Sequence, residues 1–393
     1  MKIQKVEDFH ANAGWRNFSF LKITTDDGLV GWSEFNESSW NRGLTAVIRK
    51  LGELIVGKDP RDVGHLSCTL RAITRMSPGG INDQAVAAIE NACLDVKAKA
   101  LGVPVYALFG GAHRDRLNLY WSHCGTFRVR NAEFFERTIG TPPLRTLDDF
   151  VALGKEVLAR GYKAAKTNPI MFGKGGPKML NPGFAPGVDF AGYADRAIVS
   201  AITDQLAAFR QGLGDEAGLL MDLNFSFRPE GLMRIAKAAE AFDLTWLEMD
   251  LHDPAALSVV RQSASTPIAS LEAIYGKRNY RPYFERSAID VAIIDVPWNG
   301  MLESYKIACL ADAYEVNIAP HNFYGHLSTM MSAHLCCAVP NFRIMEIEVD
   351  DVPWKDELYT ASPSIENGEM VISAAPGWGC DVIEEALLRH PVE

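Results

Sequence analysis

The chain has 393 residues, 48% hydrophobic and 22% charged, with a formal net charge of −10. That length suits two domains, and the composition is that of a globular chain. A net acidic chain lacks the basic face of a nucleic-acid binder, yet still admits an anionic ligand at local cations or at a metal. No run approaches the ~20 apolar residues of a membrane span. The N-terminus Met1-Lys2-Ile3-Gln4-Lys5-Val6-Glu7 carries no apolar signal core. Seven cysteines, none in a Cys-x-x-Cys pair, read as reduced thiols. The expectation is a soluble, cytoplasmic protein with neither nucleic-acid nor membrane partners.

Residues 2–10 alternate weakly and predict a strand. Asn17–Thr24 and Leu29–Glu34 flank Thr25-Asp26-Asp27-Gly28, and Asp-Gly between apolar runs signals a hairpin. Helical patterns follow near 42–56, 60–73 and 82–101. In the last, Val86, Ile89, Cys93 and Val96 recur at helical spacing, with Asn82 as expected N-cap and Gly102 as the stop. Residues 1–115 thus read as an α+β unit.

From residue 116, short apolar runs alternate with helical stretches such as Leu147–Arg160, Ala194–Leu213, Pro229–Phe242 and Glu303–Tyr314. The runs are Leu117–Trp121, Ala164–Thr167, Gly218–Leu223, Leu244–Glu248, Pro267–Ser270, Ile289–Val296, Val316–Ala319 and Arg343–Ile347. Eight strand–helix repeats with buried-type strands predict an α/β fold, a (β/α)8-type (TIM-like) barrel over 116–349. Met171–Tyr193, rich in Gly, Pro and Asn, leaves the C-terminal end of the second strand; a lid or an oligomer contact is expected there. Its Gly173-Lys174-Gly175-Gly176-Pro177-Lys178 lacks the Gly-Lys-Ser/Thr ending of a phosphate loop. Residues 350–393 are too irregular for a ninth repeat and are expected to pack back on the first unit.

Polar residues recur in phase along the barrel. Asp222, Glu248, Glu272, Asp295 and His321 each follow an apolar run, at spacings of 26, 24, 23 and 26 residues. One βα unit has about that length, so the five occupy equivalent positions on consecutive strands and converge at the C-terminal face, where barrel active sites are built. Taken singly, an acid after an apolar run is usually a helix cap. Three crowded carboxylates need a cation, and hard oxygen donors favour Mg²⁺ over Zn²⁺, so Asp222, Glu248 and Glu272 are assigned as metal ligands. Asp295 beside His321 would fix the imidazole tautomer and make His321 the base. Lys166, ending the second strand, is placed to pair with a substrate carboxylate or to exchange protons. Asn224 is a candidate for a substrate hydroxyl or the metal surroundings, Glu346 for the substrate carboxylate when protonated or bridged, and His123, ending the first barrel strand, for the site wall.

With these residues in place, the chain resembles the enolase superfamily, in its mandelate racemase/muconate lactonizing enzyme-like subgroup, over nearly its whole length. It looks most like the galactonate dehydratase-type sugar-acid dehydratases. The similarity lies in Phe20-Leu21-Lys22-Ile23-Thr24-Thr25-Asp26-Asp27-Gly28-Leu29-Val30-Gly31-Trp32, in Asp95-Val96-Lys97-Ala98-Lys99 and in Ala319-Pro320-His321-Asn322. The resemblance implies a capping domain, a modified barrel, one Mg²⁺ per subunit and abstraction of the proton α to a carboxylate, giving an enediolate held by the metal. The base-plus-Mg²⁺ pairing is a known trait of that superfamily. A small sugar acid, aldonate or aldarate, is the implied substrate, a 2-keto-3-deoxy acid the product, and a homo-oligomer, dimer to octamer, the assembly. The capping segments place Trp15, Arg16 and Trp40 as candidates for substrate contact.

Four departures shape this reading. Lys-x-Lys of the second strand is Lys166-Thr167-Asn168, so Asn168 stands where an opposite-face base is usual. Asn224 stands where galactonate dehydratases carry a His. Glu-Glu-Pro is Glu248-Met249-Asp250, and Gly-Glu is Leu271-Glu272. The expectation is a one-base elimination in which His321 removes the proton and then protonates the departing hydroxyl. An epimerase, racemase or lactone cycloisomerase on a related carboxylate is the alternative within the fold, and a non-catalytic sugar-acid binder the alternative outside enzymes.

Overall fold

The computed structural model describes residues 1–180 and 191–392. Strands β1 (Ile3–Asn12), β2 (Asn17–Thr25) and β3 (Val30–Phe35) form an antiparallel sheet in that order. Helices α1 (Leu44–Glu53), α2 (Val63–Ile73) and α3 (Gly80–Leu101) follow. α3 is buried almost all round because it has neighbours on every side. The sheet and the other two helices cover part of it, and Asn91 faces the barrel, donating to the Val296 carbonyl (3.1 Å) and accepting from the Met301 N–H (2.9 Å). α3 begins two residues before the expected Asn82. Gly79 occupies the cap, its N–H donating to Asp83 (2.6 Å), while the Asn82 amide turns back to the Ser77 carbonyl. Gly102, at φ 67°, ends the helix as expected.

The eight apolar runs all become strands of one parallel sheet. They are β4 (Arg116–Ser122), β5 (Ala164–Thr167) and, after a short hairpin of β6 (Ile170–Gly173) and β7 (Gly176–Met179), β8 (Gly218–Asp222), β9 (Trp246–Glu248), β10 (Ile268–Ser270), β11 (Val291–Ile294), β12 (Asn317–Pro320) and β13 (Met345–Glu348). β13 pairs with β4, and a parallel bridge between Ile318 of β12 and Phe342, three residues before β13, closes a (β/α)8-type barrel. The β6–β7 hairpin takes up the first part of the stretch expected to form a lid or an oligomer contact. Residues 181–190, the rest of the expected lid or oligomer contact, lie outside the described residues.

Inside the barrel, Tyr120, Ala164, Leu220, Trp246, Ala269, Val291, Ile293 and Ala319 form a separate apolar cluster. This plug matters for the site, because residues two further along a strand face the same way.

The C-terminal segment reaches both parts of the molecule. Its hairpin, β14 (Ser364–Glu366) and β15 (Glu369–Val371), extends the start of β4 antiparallel. Beyond it, buried Trp378 donates its N–H to Asp95 (2.9 Å) and its indole N–H to the Trp32 carbonyl (3.0 Å). Glu34, buried on β3, accepts from the N–H groups of Gly325 (2.6 Å) and Ser328 (2.9 Å) at the start of the helix His326–Ala338. A carboxyl that accepts the free N–H groups at a helix N-terminus is a favourable pairing, and here it ties the N-terminal sheet to the barrel. Among the described residues no helix is long and apolar enough to cross a membrane.

Gly31 shows how closely the N-terminal layers meet. A Cβ there would run into the Ala92 carbonyl and Val96 on α3. Gly31→Ala is therefore expected to cost about 1–3 kcal/mol by overpacking, read as a lower denaturation midpoint in urea, whereas Gly28→Ala, which meets nothing nearby, carries only the cost of its positive φ.

Candidate active site at the barrel mouth

The plug and the site obey one register. Leu220 is followed two residues on by Asp222, Trp246 by Glu248, Ile293 by Asp295, Ala319 by His321, Ala164 by Lys166 and Tyr120 by Ser122. Apolar side chains fill one layer, and polar ones occupy the next layer toward the mouth. β10 alone breaks the count, since Glu272 lies three residues beyond Ala269. The intervening Leu271 takes up the extra residue with φ 93°, which sends its own side chain into the outer core. Positive φ at a branched, bulky residue is strained by about 1–3 kcal/mol, a cost often carried at functional sites.

Asp222, Glu248 and Glu272 each bring an oxygen to within 4.8 Å of the others, and all three are buried. Glu248 Oε1 has no hydrogen-bond partner among the described residues, although Oε2 accepts from the Trp246 indole (3.0 Å). Burial, reinforced by Asp222 and Glu346, pushes Glu248 up to about 7 against the pull of Lys166. Burial likewise raises Glu272 and Asp222. Buried carboxylates so close together resist joint ionisation. An orphaned oxygen aimed into an all-oxygen cluster fits a hard divalent cation.

Lys166 Nζ lies 3.0 Å from Glu248, 3.0 Å from Glu346 and 3.9 Å from Asp222. Burial lowers its pKa, but Glu248 and Glu346 outweigh burial, and Lys166 stays charged. Burial would raise Glu346, yet Lys166, His321 and His123 hold it down at about 2. Glu346 also accepts from the Ser122 hydroxyl and the Asn322 N–H (2.7 Å). These contacts favour the ionised form, so of the two expected ways to meet a substrate carboxylate, protonated or bridged, the geometry suits the bridge through Lys166.

His321 Nδ1 is 2.6 Å from Asp295 Oδ2, and its Nε2 is 3.4 Å from Glu272. Asp295 also accepts from the Tyr324 hydroxyl (2.6 Å) and the Trp298 N–H (2.8 Å), so its orientation is fixed by three donors. Burial lowers His321, but the Glu272 charge and the Asp295 hydrogen bond raise it to about 10. Neutralising Glu272 removes the first-named of those two holds on the proton.

The remaining expected residues fall into two groups. Asn168 and Asn224 join the cluster. The Asn168 amide donates to the Asp222 carbonyl (3.0 Å) and accepts from Thr126, and Asn224 donates both its backbone and side-chain N–H to Asp222 (2.7 and 3.0 Å). His123 lies on the mouth wall, Nδ1 2.8 Å from Glu348. Trp15 packs among Phe127, Phe134 and Phe135. The Arg16 guanidinium donates to the Phe323 carbonyl and to Asp351 (2.6 Å), so it braces the wall. Trp40 is 58% exposed, and no polar or ring contact ties it to the cluster. Asp250, Tyr324 and Glu348 escaped the sequence reading. Asp250 is buried, holds the Leu271 N–H (3.1 Å) and is pushed up to about 6 by burial and then by Glu248. Only its place two residues past Glu248 could have flagged it.

This geometry is matched by known proteins. Residues 11–110 match the mandelate racemase/muconate lactonizing enzyme N-terminal domain, and residues 149–386 the enolase C-terminal domain-like family. The chain belongs to the mandelate racemase/muconate lactonizing enzyme group of the enolase superfamily. It is 31% identical to a D-xylonate dehydratase of Haloferax volcanii over 95% of this chain and 85% of that one. It is 26% identical to a D-galactonate dehydratase of Xanthomonas axonopodis pv. citri over 99% and 94%. A solved structure from Burkholderia xenovorans strain LB400, with magnesium and fumarate bound and provisionally described as an L-alanine-DL-glutamate epimerase, superposes with a TM-score of 0.96. It is 44% identical, over 99% of this chain and 96% of that one.

Replacing Lys166 tests the charge balance. Glu346 is held below its ordinary value, so the stability it lends is present above the normal carboxylate range and lost as pH falls toward 2. Lys166→Met in EDTA is expected to cost about 3–5 kcal/mol near neutral pH, as for a broken buried pair. The cost should shrink in urea titrations at progressively lower pH, as the stranded carboxylates take up protons.

Proposed function

We propose that this protein is a Mg²⁺-dependent sugar-acid dehydratase, a hydro-lyase acting on an aldonate or aldarate. The observation that carries the reading is the convergence of the three buried carboxylates, Lys166 and the Asp295–His321 pair at one barrel mouth. The two dehydratase relatives support the substrate class.

Asp222, Glu248 and Glu272 would hold the cation, which supplies Lewis-acid stabilisation of charge developing on the substrate carboxylate. Lys166 places a fixed positive charge beside that carboxylate, where the enediolate charge builds up. His321, oriented by Asp295, takes the α-proton at Nε2. Loss of the β-hydroxyl and tautomerisation then give a 2-keto-3-deoxy acid. The epimerase description of the 44%-identical structure favours epimerisation as a second reading. Against it, Asn168 is not a base, and its amide is already bonded to the Asp222 carbonyl.

Screening mono- and diacid sugars with Mg²⁺ for keto-acid formation tests the reading. Turnover is expected with at least one acid and should vanish in EDTA; deuterium entering the α-position with inversion and no keto acid would establish epimerisation instead. His321→Asn is expected to lose both solvent deuterium exchange and dehydration, by roughly 10²–10⁴-fold; exchange retained in that variant removes His321 as the base. Mg²⁺ at 100 times its Kd should add about 2.7 kcal/mol to the unfolding free energy. Because burial holds protons on Glu248 and Glu272, calorimetric affinity should weaken as pH falls below about 7, by up to roughly tenfold per unit for each proton displaced.

A further inference from the structure

The mouth of the barrel holds a second imidazole–carboxylate pair that the chemistry above does not use. Glu346 and Glu348 are two residues apart on β13, so both face the barrel axis, with Glu348 one layer nearer the mouth. Glu348 is fully buried. Its Oε2 lies 2.8 Å from His123 Nδ1, and its Oε1 has no hydrogen-bond partner among the described residues. His123 follows the last residue of β4 and adopts φ 46°, a left-handed turn that histidine tolerates better than most residues. That turn lays the ring on Glu348 instead of continuing the strand.

The ring stacks on Phe127 at 4.4 Å and 13°, and meets Phe323 at 5.6 Å. Phe323 in turn packs on His321 at 5.1 Å. One aromatic wall therefore carries both imidazoles. The charges that bear on His123 are Glu346, Lys166, His321 and Arg16, three of which belong to the site cluster. His123 Nε2 makes no hydrogen bond among the described residues, and the side chain keeps 17% of its surface exposed. Burial lowers the imidazole to about 3 and raises Glu348 well above its ordinary value. When the pair holds two protons, one lies between Glu348 and Nδ1 and the other on Nε2. A proton shift along the short hydrogen bond leaves Nε2–H a donor in either arrangement.

We propose that His123, positioned by Glu348, donates the proton to the departing hydroxyl, so that α-proton removal and water release are carried by two different imidazoles. This rests on the dehydratase reading and replaces the one-imidazole elimination expected from the sequence. His321 takes the α-proton. The Cβ–O bond then breaks with its electron pair on oxygen, which accepts the Nε2 proton of His123 and leaves as water. The enol ketonises: its O–H proton replaces the one His123 gave, and the proton on His321 goes to the former β-carbon. No proton is gained or lost overall, and no co-reactant is required.

The test is NMR in D₂O with Mg²⁺, using D-xylonate or whichever acid of the screened panel the wild type dehydrates fastest. His123→Asn suits the left-handed turn. It is expected to keep α-deuterium exchange into recovered substrate within about threefold of wild type while keto-acid formation falls roughly 10²–10³-fold. A β-fluoro analogue, whose leaving group depends less on a proton, should recover most of the lost elimination. Glu348→Gln should show the same split to a smaller degree, with the basic-side limb of its kcat–pH profile displaced. Dehydration by His123→Asn within about threefold of wild type overturns the proposal. So does parallel loss of exchange and dehydration in both variants with circular dichroism unchanged. If the wild type neither exchanges nor dehydrates any panel acid, the dehydratase reading itself fails and takes this inference with it, an outcome distinct from the other two.

Discussion

Three carboxylates within 4.8 Å of one another, above an apolar plug, set the terms for everything else at the barrel mouth. The plug keeps the layer beneath them dry, so the charges are screened by protein alone and each unpaired one is expensive. Each neighbouring group answers that problem. Lys166 is shared among Glu248, Glu346 and Asp222. Asn224 and the Trp246 indole supply neutral donors to Asp222 and Glu248. Asp295 is satisfied by His321, Tyr324 and the Trp298 N–H. Among the described residues, no donor reaches Glu248 Oε1. A site that leaves a buried carboxylate oxygen without a donor is arranged for something it does not itself contain.

The N-terminal unit contributes to this arrangement chiefly by closing it. Trp15 packs on the same Phe127 that supports His123, and the Arg16 guanidinium lies over Phe127 and Phe323. Glu34 binds the start of the helix that follows His321. Arg16 and Glu34 bond to protein partners, while the Trp15 indole nitrogen and Arg16 Nε have none among the described residues. Trp15 and Arg16 support the aromatic wall beside the acid/base groups. The histidine on that wall nearest the capping residues is the one whose Nε2 remains open.

Much of this was legible because a barrel repeats one βα unit. The spacing of Asp222, Glu248, Glu272, Asp295 and His321 places them at equivalent strand ends without any coordinates. What spacing does not convey is the backbone that delivers them. Glu272 reaches the site only because Leu271 adopts φ 93°, and nothing in an apolar run signals that turn. Glu348 and Tyr324 were missed because their partners, His123 and Asp295, come from distant strands and loops. Whether Glu346 acts protonated or bridged stayed open for a related reason: the choice depends on Lys166 across the barrel, not on its own surroundings in sequence. Glycine-rich composition at 171–179 suggested a bare loop, yet two four-residue strands need only extended backbone and a tight turn.

In the proposed function the three carboxylates form a metal centre beside a proton-transfer pair. Crystals grown with Mn²⁺ in place of Mg²⁺ and measured at the manganese absorption edge test it most directly. One anomalous peak per subunit is expected, bonded to oxygens of Asp222, Glu248 and Glu272, with Lys166 still on Glu346. A peak held by other residues, or none at saturating Mn²⁺, would contradict it.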